Sequence, residues 1–310
     1  MANDRDQTSP EDALSRSTCW EAIDAVVCIN LDRRKDRWAS FCKTVKGIIP
    51  AEKIHRLSGV DGTKLPGYGQ EPWFTERTGA RSLYWGGATG CTLAHTKAIR
   101  MAMDNGWRNV MILEDDVEGH MTREGLEIVC EGLRTLTGPY LMYLGYSRHT
   151  PHGVRLQQKG QASLWRIDGA HTTHAYIVPE SMYRPLLAAL PQSPELAWEW
   201  MSWHRAIDCF YRNEVAAWKG VQVYAVLPLM FHQNGMSSDL VKATKVMKPM
   251  HEELVELGPL SHLLFRLFVL PCRRIKVWLN LRRIHYRATR GGFPGMREGN
   301  PLKRFLGHFR

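Results

Sequence analysis

Three consecutive acids, Glu114, Asp115 and Asp116, follow the apolar run VMIL at 110–113. Carboxylates this close repel one another, so each needs a cation or hydrogen bonds to remain ionised. Mg2+ or Mn2+ meets that need: both prefer oxygen ligands and are commonly held by one or two carboxylates together with substrate phosphates. On an extended chain Glu114 and Asp116 face one way and Asp115 the other. One acid can then meet a metal while another meets a ribose or a backbone group. The plainer alternative is a solvated acidic turn that caps the next helix.

Three further clusters carry chemistry-bearing residues. In INLDRRKDRW, at 29–38, Arg33, Arg34 and Arg37 follow an apolar stretch, where an anion can dock at a helix N-terminus. A solvated, charged first turn explains them equally. In GATGCTLAHTKAI, at 87–99, a Gly-rich turn is expected to enter a helix with Cys91, Ala94 and His95 in its first turns. The free backbone N–H groups there suit an anion or a sugar hydroxyl. A zinc role for Cys91 and His95, spaced i and i+4, lacks further ligands nearby in the sequence, and a packing role is the alternative. Between 198 and 238, Trp198, Trp200 and Trp203 cluster, Asp208 sits in an expected helix, and His232 and Gln233 follow Leu227-Pro228. Aromatic rings stack on sugar faces, but Trp at helical spacing also reads as core. His171 and His174 read as structural, on opposite faces of a strand.

The elements that must position these groups alternate. Strands are expected at 25–31, 54–60, 110–113, 140–144, 174–178 and 221–226, and helices through Trp38, Phe41 and Val45 and at about 91–104, 125–135, 180–190 and 198–212. Residues 62–90 read as a long, irregular Gly- and Pro-rich insert, and Asn105-Gly106 as a left-handed helix stop. Such alternation predicts an α/β fold with a mostly parallel central sheet covered by helices on both faces. Ligands on such sheets bind beyond the carboxyl ends of the strands. Polar clusters at 30–37, 114–116 and 145–149 fall at such ends.

The charge is unevenly placed. The 310 residues carry a formal net charge of +10. Residues 260–310 hold 12 Lys+Arg and one acid, Glu298, a net +11, whereas residues 1–259 have 29 bases against 30 acids, a net −1. A uniformly basic protein is thereby excluded. Seven Cys without a CxxC pair read as reduced, mostly buried thiols. The polar first residues lack the apolar core of a secretory signal, and the most apolar later stretch is interrupted by Arg266 and Pro271. The expected location is therefore cytoplasmic, or peripheral on the inner face of a membrane. In the tail, Arg273, Lys276, Asn280, Arg283, Arg287 and Arg290 recur every three or four residues. They lie opposite Val277, Leu281, Ile284 and Ala288, which Trp278 flanks. That is a basic amphipathic helix, suited to an anionic membrane surface or to packing on the body. Leu263, Leu264, Leu267, Phe268 and Leu270 offer a preceding anchor.

In this order the motifs resemble glycosyltransferase family 25, the group containing bacterial lipopolysaccharide and lipooligosaccharide glycosyltransferases. The resemblance rests on INLDRRKDRW, HRLSGVDGTKL at 55–65, GCTLAHTKAI at 90–99 and above all VMILEDDVEGH at 110–120. It continues more weakly through LGYS at 144–147, HAYIVP at 174–179, Asp208 and PLMFHQNGMSSDL at 228–240. The family usually has Ser where this chain has Ala94. The resemblance implies a GT-A-like fold over residues 21–250, between a flexible lead (1–20) and the basic helical tail (251–310). It also implies inverting transfer of a sugar, commonly galactose from UDP-galactose, to a cell-surface glycan or glycolipid. It implies a Mn2+ or Mg2+ ion on Asp116 with Glu114, and Glu114 or Asp115 on the nucleotide. Asn30, Arg33 and Arg37 are expected on the nucleotide-sugar side. His95 and Gln233 are expected near the acceptor or its loop, and Asp208, then His232, as the general base. The rival readings are a nucleic-acid-binding protein that uses the tail, and a metal-dependent nuclease or phosphatase that uses the acids.

Overall fold

The run AVVCIN forms β1 (Ala25–Asn30), whose side chains are almost all buried on both faces, as a strand inside a covered sheet must be. The computed structural model describes residues 14–70, 80–147, 151–233 and 254–290. After β1 the chain enters α1 (Lys35–Val45), which buries Phe41 and Val45, and then β2 (Ile54–Ser58). A long helix, α2 (Ala80–Asp104), leads to β3 (Asn109–Glu114), the short β4 (Val117–Gly119) and α3 (Arg123–Thr135). Next come β5 (Tyr140–Gly145), the hairpin of β6 (His152–Lys159) and β7 (Ala162–Ile167), and β8 (Ala175–Pro179). Three helices, α4 (Glu180–Ala189), α5 (Pro194–His204) and α6 (Ile207–Asn213), precede β9 (Gln222–Leu227) and β10 (Phe231–Gln233). The described chain ends with β11 (Val255–Glu256), α7 (Pro259–Leu264), a π-helical turn at Phe265–Val269, and α8 (Leu270–Arg290).

One large sheet runs in the order β11-β6-β7-β9-β5-β8-β3-β1-β2, and β4 pairs with β10 beside it. Within the sheet every strand points the same way except β7 and β8, which run antiparallel to both their neighbours. Strand residues alternate between two cores. Val26, Cys28, Met111, Leu113, Met142 and Ile177 pack with α1 and α3 on one face. Val27, Val110, Ile112, Leu141, Tyr143 and Tyr176 pack with α2, α4 and α6 on the other. The period of two along each strand thus places helices on both faces.

The structure departs from the expected elements in four places. The Gly-rich stretch up to residue 90 is helical from Ala80, not irregular. Its glycines serve close approach: a Cβ on Gly90 would lie 2.1 Å from the Val60 carbonyl oxygen. The helix can therefore lie against the loop after β2 only because those positions lack side chains. The helix expected over 198–212 is two, because Arg205 adopts φ 71° between α5 and α6. The hairpin β6–β7 and the small β4–β10 pair were not expected; the polar, half-exposed β6 (burial alternating only weakly) carries little period-two signal. Finally, the chain leaves β3 at Glu114, so Asp115 and Asp116 sit in a turn rather than on an extended strand.

The tryptophans are packing groups here. Trp198 is buried and its indole N–H donates to Pro66 O at 2.7 Å, Trp200 donates to Ala189 O at 2.8 Å, and Trp203 stacks on His285 with centroids 3.5 Å apart. The tail helix α8 lies along α5: Ser202 Oγ meets His285 Nδ1 at 2.7 Å, and Arg273 Nη1 bonds Asp168 at 2.6 Å. Val277 and Leu281, from the stripe expected to face either a membrane or the body, are half-buried. A different apolar set is left in solvent, comprising Ile275, Trp278 and Leu279 on α8 and Leu263, Leu264, Leu267 and Phe268 before it. Among the described residues no helix is long and apolar enough to cross a membrane. The run at 1–13, residues 148–149 of the third polar cluster, and 234–240 of the last motif lie outside the described residues.

Candidate functional site

At the carboxyl ends of β1 and β3 a cleft opens. Its lining includes Arg33, Arg37, Asp61, Cys91, His95, Glu114, Asp115, Asp116 and Gln233. Five separate pieces of chain supply it: the β1–α1 turn, the loop after β2, the middle of α2, the β3–β4 turn, and β10.

Asp115 is the anchor. It accepts from Asn30 Nδ2 at 2.6 Å and from Arg37 Nη1 at 2.9 Å. Asn30 is itself fixed, donating also to Arg34 O at 3.0 Å and accepting from Arg56 Nε at 2.9 Å. Arg37 is buried with only 8% of its side chain exposed and lies 3.7 Å from Asp116 Oδ2 as well. A buried guanidinium against two carboxylates offsets much of the cost of desolvating them.

Asp116 is held differently. Its Oδ1 is buried with no hydrogen-bond partner among the described residues. Burial, followed by the charge of Glu114, pushes its carboxyl up to about 7, against the opposing influence of Arg37 and Gln233. Glu114 goes the other way. Burial works to raise it, but His95 beside it wins and holds the carboxyl below its usual range. His95 Nε2 lies 3.5 Å from Glu114 Oε1, and the Thr173 hydroxyl donates to the same oxygen at 3.3 Å. His95 Nδ1 meets Tyr176 Oη at 2.9 Å.

The residues singled out from the sequence divide accordingly. Arg33, Arg37, His95, Glu114, Asp115, Asp116 and Gln233 line one cleft, and Asn30 orients Asp115 from behind it. Arg33 lies at the rim, 3.5 Å from Asp61. Asp208 and His232 are outside that lining. Asp208 sits in the first turn of α6, 2.6 Å from His171 Nδ1, and accepts from the backbone N–H of Cys209 at 2.7 Å and of Thr172 at 3.3 Å. Burial works to raise its carboxyl, but His171 and those N–H groups hold it low. His232 pairs across the strands with Glu118, and its ring is 4.7 Å from that of His120. The Gly-rich stretch is mid-helix, so its backbone N–H groups are not the free donors expected of a helix start.

Two residues not among the expected site groups are Asp61, which lines the cleft, and His171, which pairs with Asp208. Nothing local to Asp61 tells that Arg33, 28 residues earlier, will reach it. Gly145 is a further hidden requirement: a Cβ there would lie 2.4 Å from His174 Nε2 and from Phe231 O. Burial lowers His174 to about 4, so its neutral ring bridges Thr172 and Phe231 as packing.

The cleft thus gathers four carboxylates, two of them on one buried arginine, and leaves an oxygen of Asp116 without a partner among the described residues. These are ligand types suited to a hard cation and, at Arg37 and Arg33, to an anion paired with one. No protein-family model matches the chain. A solved structure, mannose-1-phosphate geranyltransferase from Thermus thermophilus, overlaps 68% of this chain and 75% of its own at 12% identity. Its TM-score of 0.32 is too low to bear on fold or chemistry. The chain is 29% identical over 184 residues to a Bos taurus protein described as probable inactive glycosyltransferase 25 family member 3. The match covers 54% of this chain and 29% of that protein. A similarity of that extent fits a glycosyltransferase in general.

Proposed function

We propose that the chain is a nucleotide-sugar glycosyltransferase of GT-A-like architecture, with the donor's diphosphate seated in the cleft between β1 and β3. The observation that carries this reading is Asp116: a buried carboxylate with an unpartnered oxygen, next to a buried arginine, at the carboxyl edge of the sheet. That orphan oxygen fits a divalent ion of the Mn2+ or Mg2+ type, with Asp116 as its protein ligand and the Glu114 carboxylate beside it. When bound, such an ion supplies Lewis-acid stabilisation of the departing nucleoside diphosphate.

The chain's own residues do the rest. Arg37, fixed by Asp115, presents positive charge where the diphosphate gains charge, and preorganisation of this kind costs no rearrangement during reaction. Arg33 at the rim adds a second, more solvated cation. Asn30 and Arg56 lock Asp115 so that Arg37 cannot swing away. The proton of an acceptor hydroxyl falls to the Asp208–His171 pair, in which the low carboxyl of Asp208 orients the imidazole. UDP-galactose is the first donor to try, and a cell-surface glycan or glycolipid the acceptor class.

The exposed apolar set Ile275, Trp278 and Leu279 lies among Arg274, Lys276 and Arg282 on α8. That combination suits the interface of an anionic membrane, each basic residue contributing about 1 kcal/mol near the surface. It would hold the enzyme beside a lipid-linked acceptor.

The test is a panel of nucleotide sugars with and without Mn2+, followed by calorimetry and by donor hydrolysis. Binding of one UDP-sugar that requires Mn2+ is the expected result. Binding without turnover would make the chain an inactive relative. Salt-dependent DNA binding with no UDP-sugar binding would replace the proposal with the nucleic-acid reading.

A further inference from the structure

Cys91 and His95 stand one helical turn apart on α2, and their neighbourhood in the sequence offers no third ligand. The fold supplies one. Glu114, at the end of β3, brings its carboxylate to the same point, and the ligand atoms of Cys91, His95 and Glu114 all lie within 4.8 Å of one another. His95 is fully buried, and its Nε2 makes no hydrogen bond while lying 3.5 Å from Glu114 Oε1. Two ligands on a tetrahedral zinc ion, with bonds of about 2.0–2.2 Å, sit roughly 3.4 Å apart. The His95–Glu114 spacing already matches.

We propose that Cys91, His95 and Glu114 form a binding site for a thiolate-seeking divalent ion, Zn2+, in the wall of the cleft. The site differs from that of the ion assigned to Asp116, although Glu114 borders both, and it does not rest on sugar transfer. The donor set decides the ion: sulfur and imidazole select Zn2+, whereas Mn2+ and Mg2+ prefer the all-oxygen surroundings of Asp116. The groups behind the ligands are arranged for it. In the metal-bound state the ring proton sits on Nδ1 and is donated to Tyr176 Oη at 2.9 Å, so that Nε2, which in the bare chain holds Glu114 low, turns its lone pair to the ion. Thr173 donates to Glu114 Oε1 at 3.3 Å and steadies the carboxylate. Binding breaks the Cys91 S–H bond, sends the proton to solvent and forms the Zn–S bond, with no change of oxidation state. Desolvation and the charge of Glu114 keep the bare thiol protonated, and the incoming cation is what reverses that balance. All three ligands line the cleft, so the fourth position is open to water or to a bound molecule, as in non-structural zinc sites.

The second such group, His171, Asp208 and Cys209, is the weaker one, because Asp208 is already bonded by two backbone N–H groups. It is a necessary control.

The experiment uses the full chain, stripped of metal and titrated with Co2+ as an optical probe of a thiolate ligand. One equivalent of Co2+ should raise a near-ultraviolet sulfur-to-cobalt charge-transfer band, and Zn2+ should displace it. Cys91→Ser should abolish the band and weaken Zn2+ binding at least about 100-fold, with unchanged circular dichroism. Tyr176→Phe should keep the band but weaken Zn2+ about 10–100-fold, the usual loss when a histidine ligand's outer partner is removed. Asp116→Asn should leave the band intact while ending Mn2+-dependent UDP-sugar binding, so the two readings fail separately. Absence of a band in the unaltered protein overturns the proposal. So does a band that survives Cys91→Ser, or one that is lost only in Cys209→Ser.

Discussion

Replacing Asp116 with Asn should make the metal-free protein more stable at alkaline pH, although it removes a residue of the proposed site. Asp116 titrates at about 7 in the folded chain, against 3.8 as the reference for an exposed Asp. Between those values the folded state holds a proton that the unfolded state has released. Stability therefore falls as pH rises from about 4 to about 7, and the loss is complete above that. Three units at about 1.4 kcal/mol each make the penalty about 4 kcal/mol. Asn carries no charge and escapes it, while Arg37 keeps its bond to Asp115. The assay is urea denaturation of both proteins in chelator-treated buffer from about pH 5 to pH 8. The variant should gain several kcal/mol at the alkaline end, and the gain should shrink toward zero as pH falls. Added Mn2+ should stabilise only the unaltered protein, since it supplies the charge that the buried carboxylate lacks. An equal gain at every pH, or none at about pH 8, would refute the account of Asp116 as an uncompensated buried charge.

Three other outcomes follow from the same geometry. Arg37→Met should cost about 3–5 kcal/mol by urea denaturation, because it strands buried Asp115; adding Asp115→Asn should restore part of the loss, the signature of a coupled pair. Gly90→Ala should cost more than about 4 kcal/mol, since the new Cβ would lie 2.1 Å from Val60 O; a soluble variant of normal stability would show that α2 can shift off the loop. Changing Ile275, Trp278 and Leu279 together to Ser should reduce sedimentation with anionic vesicles and leave donor hydrolysis unchanged. Residual binding should then fall as salt rises, and unaltered vesicle binding would assign this surface no membrane role.

Much of the architecture could be read locally. Runs such as AVVCIN and YLMYLG are buried on both faces and too short for helices, and the Thr122 hydroxyl caps α3 where the apolar period begins. The hairpin β6–β7 was not legible, because a half-exposed strand takes its pairing from neighbours distant in the chain. The Gly-rich stretch misled for a related reason. Glycine signals a turn when read locally, but at 90 it permits the helix to touch another segment's backbone, and at 86 it makes room for the side chains of Thr63 and Tyr68.

The sequence by itself determined which residues are costly to bury: three adjacent acids after an apolar strand, a run of arginines after another, and a tail whose +11 exceeds the whole net charge of +10. Burial and repulsion act on residue type, so those requirements are written in the chain. Only the tertiary structure decided how each requirement is met. It gave Asp115 to Arg37 and Asn30, left an oxygen of Asp116 open, and set Glu114 against His95 and Cys91. It also turned one stripe of the tail helix onto the body and left another in solvent. The partners come from segments up to 85 residues apart, and no local spacing encodes which side chains a closing sheet will bring within 3 Å.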